Sequence, residues 1–207
     1  MSAGFFLTFE GADGSGKSTQ ARRLFEVLSA EGRDVVLTRE PGGSEGAEEI
    51  RRLLVEGDPG RWSAETEILL FFAARRDHLE RTILPALKRG AVVISDRFSD
   101  SSRVYQGATR GDLRAKVDAL HQLMIGKEPD LTLVLDINAD LGLKRGLARN
   151  SGEDRFEAFG ADFQQKLRAG FCALLADFPA RCIGIDGKGS VDEVAARVRA
   201  ALNGRLP

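Results

Sequence analysis

An α/β fold, with a five-stranded parallel sheet between two layers of helices, is predicted by three observations. Short β-prone apolar runs recur at 5–9, 34–38, 91–95, 131–137 and 181–185. They are nearly continuous in apolar residues, as strands covered on both faces are. Helical patterns separate them, near 17–31, 44–55, 64–88, 112–125, 139–149, 159–177 and 190–203. Right-handed crossovers between such strands give a doubly wound, three-layer domain. At 207 residues the chain suits one domain, 1–207, with a sizeable core. Neither a repeat nor a linker divides it.

The first strand, Phe5-Phe6-Leu7-Thr8-Phe9, runs into Gly11-Ala12-Asp13-Gly14-Ser15-Gly16-Lys17-Ser18-Thr19. This stretch fits G-x-x-x-x-G-K-[ST]. A helix with Ala21, Leu24, Phe25 and Leu28 on one face follows it. Strand, glycine loop and helix together make a phosphate cradle, the P-loop of P-loop NTPases. Backbone N–H groups and the helix N-terminus turn toward one anion. Lys17 would bridge the β- and γ-phosphates of a nucleoside triphosphate, and Ser18 would hold Mg²⁺. An ordinary Gly-rich turn is the alternative, and the flanking strand and helix weigh against it.

In open α/β sheets ligands lie beyond the carboxyl ends of the strands. The second strand leads to Arg39-Glu40-Pro41-Gly42-Gly43, and the third to Asp96-Arg97-Phe98. Asp136 ends the fourth, and Asp186-Gly187-Lys188-Gly189 follows the fifth. Asp96 has the position of a Walker B carboxylate that orients Mg²⁺; a helix N-cap is its alternative. Arg97 offers a planar fork for a second phosphate, or is a surface charge. Phe71 and Arg75 stand at i and i+4, so a ring and a guanidinium share a helix face, though an aromatic there is often core. If 101–106 is helical, Ser102, Tyr105 and Gln106 share a face that suits ligand orientation, with an exposed face as the alternative.

Lys144, Arg145 and Arg149 precede the polar segment Asn150-Ser151-Gly152-Glu153-Asp154, and Arg155 follows it. Such a charged loop late in a P-loop chain is a lid candidate, near 149–158. In the last helix, Asp192 and Glu193 fall in the first turn, where the helix dipole favours acids.

A net charge of -1 argues against a broad nucleic-acid surface while leaving room for local basic clusters. Cys172 and Cys182 have neither metal-ligand nor paired spacing and read as buried thiols in a reducing compartment. His78 and His121 have no metal-like partners nearby in sequence, so surface or cap roles are expected. No signal peptide or membrane-length apolar run is evident, and a soluble cytoplasmic protein is expected.

Together the pieces resemble the thymidylate kinase family, whose members phosphorylate dTMP on the way to dTTP. The resemblance runs essentially end to end. It is carried by FEGADGSGKSTQ around the P-loop, TREPGG at 38–43, LLFFAAR at 69–75, DRF at 96–98 and YQG at 105–107. The LDI strand end, KRG at 144–146 and DRFE at 154–157 complete the set.

The resemblance implies that Phe71 stacks on thymine and Arg75 bonds its O4 edge, with Ser102 and Gln106 on the remaining polar edge. Tyr105 would occupy the space of a ribose 2′-hydroxyl, and Asp13 would approach the 3′-hydroxyl. Arg97 and Arg51 would clamp the acceptor phosphate. Glu40 would stand near the acceptor site, with Pro41 walling the methyl group. Arg145 would lie against the adenine of ATP, helped by the loop near Gly187. Some family members carry an arginine directly after the acidic P-loop residue. Gly14 stands there in this chain, so the resemblance points to lid arginines, with Arg149 and Arg155 as the two candidates. It also implies a homodimer formed through helices.

The acceptor in such a reaction is a phosphate monoester, mostly dianionic at neutral pH because its second pKa is about 6. It needs no strong general base, in keeping with a sequence that shows no Ser/His or Cys/His constellation. Alignment and neutralisation of charge on the γ-phosphoryl would carry catalysis. Another nucleoside monophosphate kinase or a deoxynucleoside kinase is the nearest alternative. A nucleotide-sensing P-loop module is a different one, and a second arginine-rich anion site would be surplus in it.

Overall fold

A computed structural model describes residues 4–58, 60–108, 112–138, 142 and 161–206. Five strands, β1 (Phe5–Glu10), β2 (Val35–Arg39), β3 (Val92–Asp96), β4 (Leu131–Asp136) and β5 (Cys182–Asp186), form one parallel sheet in the order β2-β3-β1-β4-β5. β1 lies at its centre. The chain winds to one side for β2 and β3 and then crosses to β4, so a crevice opens beyond the carboxyl end of β1. Register sets Phe9 beside Asp96 and Arg39 beside Asp96 in this crevice, where the acidic strand ends gather.

The helices are α1 (Lys17–Ala30), α2 (Glu45–Val55), α3 (Ala64–His78), α4 (Leu84–Lys88), α5 (Ser99–Ser102), α6 (Arg114–Leu120), α7 (Ala161–Asp177) and α8 (Val191–Leu202). Alternate strand residues separate two cores. Leu7, Phe9, Ile94 and Leu133 pack against Leu24 and Leu28 of α1 and Val194 and Val198 of α8. Phe6 and Val93 on the other face meet Ile68 and Phe72 of α3. A third cluster joins Tyr105 and Val134 to Leu167 and Phe171 of α7. The predicted α/β, three-layer arrangement is what the chain adopts.

The predicted helix 64–88 is not uniform. α3 passes into a π-helical turn, Leu79–Ile83, before α4, in which Pro85 occupies the first turn. Proline has no N–H to donate to the preceding turn, and its ring crowds the carbonyl four residues back, so regular α-helix cannot continue through it. The predicted helix 112–125 likewise ends in a π turn, His121–Ile125, closed by Gly126 at φ 62°. The α8 expectation holds in detail: Ser190 and Glu193 form a reciprocal capping box, with Asp192 and Glu193 in the first turn. Of the predicted helix 139–149, only Gly142 lies among the described residues, and it is helical.

Candidate active site

β1 delivers Glu10 and the P-loop to the middle of the crevice. Gly16, left-handed at φ 95°, ends the loop, and α1 starts at Lys17 with no side-chain cap. Its first N–H groups are therefore available to an anion. Lys17 is buried, and its Nζ donates to the Ala12 carbonyl at 2.9 Å. Burial, reinforced by the nearby Arg97 charge, pulls its ammonium down to about 8. A cavity of about 610 Å³ runs from Gly14–Ser18 to Gly187, Ser190 and Val191 at the start of α8. A Cβ on Gly14 would run into the Gly142 backbone, so position 14 has no room for a side chain.

Ser18 Oγ donates to Asp96 Oδ2 at 2.5 Å, joining the P-loop helix to the end of β3. Asp96 Oδ1 is buried and meets no hydrogen-bond donor among the described residues. The N-cap of α5 is Phe98, which removes the capping alternative for Asp96. The open N–H groups there go instead to Glu10, whose Oε1 accepts from Phe98 N at 2.8 Å and Ser101 N at 3.2 Å. Its Oε2 accepts from Ser101 Oγ at 2.6 Å. Glu10 was missed in the sequence reading. A carboxylate closing an apolar strand is the signal that could have found it. Burial, then repulsion from Asp100, lifts its carboxyl to about 7 against the pull of Arg97.

Arg97 is the one described non-glycine residue with positive φ, at 74°. A side chain in this region is strained by about 1 kcal/mol or more, and functional sites are where such strain collects. The turn is held by Arg97 N donating to Phe9 O at 2.9 Å and Ser95 Oγ donating to Arg97 O at 2.8 Å. It aims the guanidinium back over the P-loop. Nη2 lies 2.5 Å from Asp13 Oδ1 and 3.1 Å from Tyr105 Oη. Nη1 reaches Gly11 O at 3.2 Å and Ser101 Oγ at 3.0 Å. Tyr105 Oη in turn donates to Asp13 Oδ2 at 2.5 Å. Burial alone would raise the Asp13 carboxyl, but Arg97 and Lys17 outweigh it and hold it down at about 2. The surface-charge alternative for Arg97 is therefore set aside.

A second group of predicted residues converges beside this triad. Arg75, 2 % exposed, donates from Nε to Glu40 Oε2 at 2.7 Å and from Nη2 to Ser102 Oγ at 3.1 Å and Phe98 O at 3.2 Å. Its Nη1 is buried with no partner among the described residues. Phe72 and Phe98 flank the guanidinium at 5.0 and 5.4 Å, while Phe71 is half-buried. Gln106 Nε2 donates to Glu67 Oε1 at 2.8 Å. The Glu40–Pro41 bond is cis, and Arg51 Nη1 donates to the Pro41 carbonyl at 2.5 Å. Ser102, Tyr105 and Gln106 are helical and buried, not an exposed face. Arg145, Arg149, Arg155 and the lid candidate near 149–158 lie outside the described residues.

Three expectations are corrected. His78 is fully buried, with Nδ1 3.0 Å from Glu40 Oε1 and Nε2 2.7 Å from Thr38 Oγ1. It shares the inner face of α3 with Arg75, and both steady Glu40. His121 is buried too, its Nδ1 2.8 Å from Ser99 Oγ, because the turn that carries it packs against α3. Of the two cysteines only Cys182 is buried, its thiol pushed up to about 12 chiefly by that burial; Cys172 sits on the outer face of α7.

The thymidylate kinase family model matches residues 9–198. The chain is 69% identical to a thymidylate kinase of Dinoroseobacter shibae over 199 residues, 96% of each chain. It is 51% identical to that of Caulobacter vibrioides over 207 residues, 100% of this chain and 99% of the other. The crystal structure of thymidylate kinase from Ehrlichia chaffeensis superposes with a TM-score of 0.79 at 34% identity, covering 97% of this chain and 99% of that one. With a phosphate cradle facing an arginine-rich second site on a β2-β3-β1-β4-β5 sheet, and with relatives matched end to end, the chain belongs to the thymidylate kinase family, kinases that phosphorylate dTMP.

Proposed function

We propose that residues 1–207 act as one catalytic domain that moves the γ-phosphoryl of ATP to dTMP by alignment and charge neutralisation. The observation that carries this reading is the link from Asp13 to Arg97 and Tyr105, which puts the donor cradle and an acceptor clamp one bond apart.

ATP takes the cavity between the P-loop and the start of α8. The P-loop residues Gly11, Ala12, Asp13, Gly14, Ser15, Gly16, Lys17, Ser18 and Thr19 surround its phosphates, and Arg145 covers the adenine. Ser18 and Asp96 fit a Mg²⁺ ion: both offer hard oxygen ligands, and Asp96 Oδ1 is buried without a donor among the described residues. When bound, Mg²⁺ would supply positive charge that neutralises the donor's phosphates. Lys17 supports the same charge from the protein side.

The acceptor lies with its base against Phe71 and its O4 toward the unpaired Arg75 Nη1. Glu40 and Pro41 shape that pocket from β2, and Ser102 and Gln106 from the facing segment. Tyr105 fills the 2′ position, and Asp13 meets the 3′-hydroxyl. Arg97 and Arg51 hold the phosphate in line. With no space at position 14, Arg149 or Arg155 supplies the remaining positive charge to the transferring group.

The chain also works as a homodimer in the cytoplasm. Leu69, Leu123 and Met124 are 60%, 78% and 47% exposed. Leu69 and Arg76 lie two turns apart on one face of α3, and Arg76 Nη1 donates to Met124 O at 2.7 Å, so the apolar residues share one side. No helix among the described residues is long and apolar enough to cross a membrane.

Coupled ADP release over dTMP, dUMP, CMP, GMP and thymidine tests the reading. dTMP is expected to give the highest kcat/KM and thymidine almost none, since thymidine brings no phosphate to Arg97. Background rates with every monophosphate would favour a nucleotide sensor instead.

A further inference from the structure

We propose that Glu67 is a positioning residue that sets the hydrogen-bonding polarity of the acceptor-base pocket, by holding the Gln106 amide so that its oxygen is left for the base. The inference rests on the acceptor reading above.

Glu67, Phe71 and Arg75 stand at i, i+4 and i+8 on one stripe of α3. Across from them, Ser102 and Gln106 stand at i and i+4. Two cross-links tie the elements together at either end of the stripe: Arg75 Nη2 to Ser102 Oγ at 3.1 Å, and Gln106 Nε2 to Glu67 Oε1 at 2.8 Å. Phe71 lies between them in sequence, at the level where a base would stack.

The orientation of a glutamine amide is ambiguous by shape, since its two ends are nearly isosteric. A carboxylate partner removes the ambiguity because it only accepts. Glu67 is 0% and Gln106 1% exposed, so water cannot replace the bond, and a flipped amide would set two acceptor oxygens against each other. Arg75 Nη1 is buried with no acceptor among the described residues, and the bond from Gln106 Nε2 to Glu67 turns Gln106 Oε1 to the other side of the amide. The pocket thus presents one open donor and one open acceptor. A pyrimidine with C4=O beside N3–H satisfies both. Cytosine, with an amino group at C4 and a bare N3, offers a donor to the donor and an acceptor to the acceptor. Burying such a mismatch is costly, so the pocket rejects by polarity and not only by shape.

The test compares kcat/KM for dUMP and dCMP, which differ only at this edge, in the wild type, Glu67→Gln and Gln106→Leu, with thermal unfolding of each. In Glu67→Gln the partner can donate or accept, so the Gln106 amide is free to turn. The dUMP-to-dCMP ratio should then fall by about tenfold or more, mostly through KM, with KM for ATP unmoved. A folded Glu67→Gln enzyme that loses activity equally toward both acceptors would overturn the proposal, leaving Glu67 a support for helix packing. Gln106→Leu separates the underlying reading: it should raise KM for dTMP by about tenfold, and an unchanged KM would take Gln106 away from the base altogether. Should Glu67→Gln fail to fold, the wild type still decides the matter by NMR. The Gln106 side-chain amide protons should stay protected from water exchange both free and with dTMP bound. Rapid exchange of those protons in the free enzyme would show that Glu67 does not hold the amide, contrary to the proposal.

Discussion

Asp13 Oδ1 lies 2.5 Å from Arg97 Nη2, so the carboxylate inside the phosphate-binding loop and the strained arginine after β3 form one ion pair. Each side chain is mostly shielded from water, and each has a further partner in Tyr105. The proposed acceptor clamp is therefore neutralised and oriented before any nucleotide arrives. Such preorganisation spares the reorganisation that would otherwise accompany the approach of two anions.

Tyr105, proposed to fill the 2′ position of the acceptor sugar, is 5% exposed and packed edge-on against Phe163 and Phe171. Tyr105→Ala should open space for a 2′-hydroxyl and relax the preference for dUMP over UMP by about tenfold, measured as the ratio of kcat/KM values. An unchanged ratio would remove Tyr105 from the sugar pocket.

Glu10 makes stability depend on pH in a stated direction. Its folded carboxyl titrates at about 7, above its ordinary value of 4.5. Its contribution is thus complete below about pH 4.5 and declines as pH rises through about 7, because the unfolded chain gives up the proton first. Glu10→Gln has nothing to titrate. The Tm of Glu10→Gln minus that of the wild type should climb between about pH 5 and pH 8. A difference that stays flat across this range would contradict the buried, proton-retaining carboxyl.

Lys17 carries a second pH signature. Its ammonium is pulled down to about 8 in the free protein, and only the charged form attracts a triphosphate. The Kd for ATP should hold steady below about pH 8 and then rise, approaching tenfold per pH unit above it. Calorimetric titration showing no weakening up to about pH 9.5 would mean that burial leaves Lys17 charged throughout.

Much of this was legible in the sequence. The P-loop is a contiguous motif whose strand and helix flanks are themselves periodic, and Ser18, Asp96 and Arg97 follow from where strands end. Pairings across long separations were not legible. Asp13 meets Tyr105 from 92 residues away, and Glu10 meets Ser101 from 91. The run Ser99-Asp100-Ser101-Ser102-Arg103 shows no apolar period, yet it is buried. Its polar groups are satisfied by Glu10, His121, Arg75 and Arg181, which arrive from other elements. His78 and His121 were misplaced for the same reason: nothing local in sequence announces Glu40, Thr38 or Ser99 beside them.

Arg97→Ala is the most direct test of an acceptor clamp that is distinct from the ATP cradle yet bonded to it. Turnover with dTMP and kcat/KM should fall by roughly a hundredfold or more, while the Kd for ATP measured by calorimetry stays within about threefold of the wild type in a variant that remains folded. Equal loss of ATP affinity would contradict the assignment and return Arg97 to the donor site.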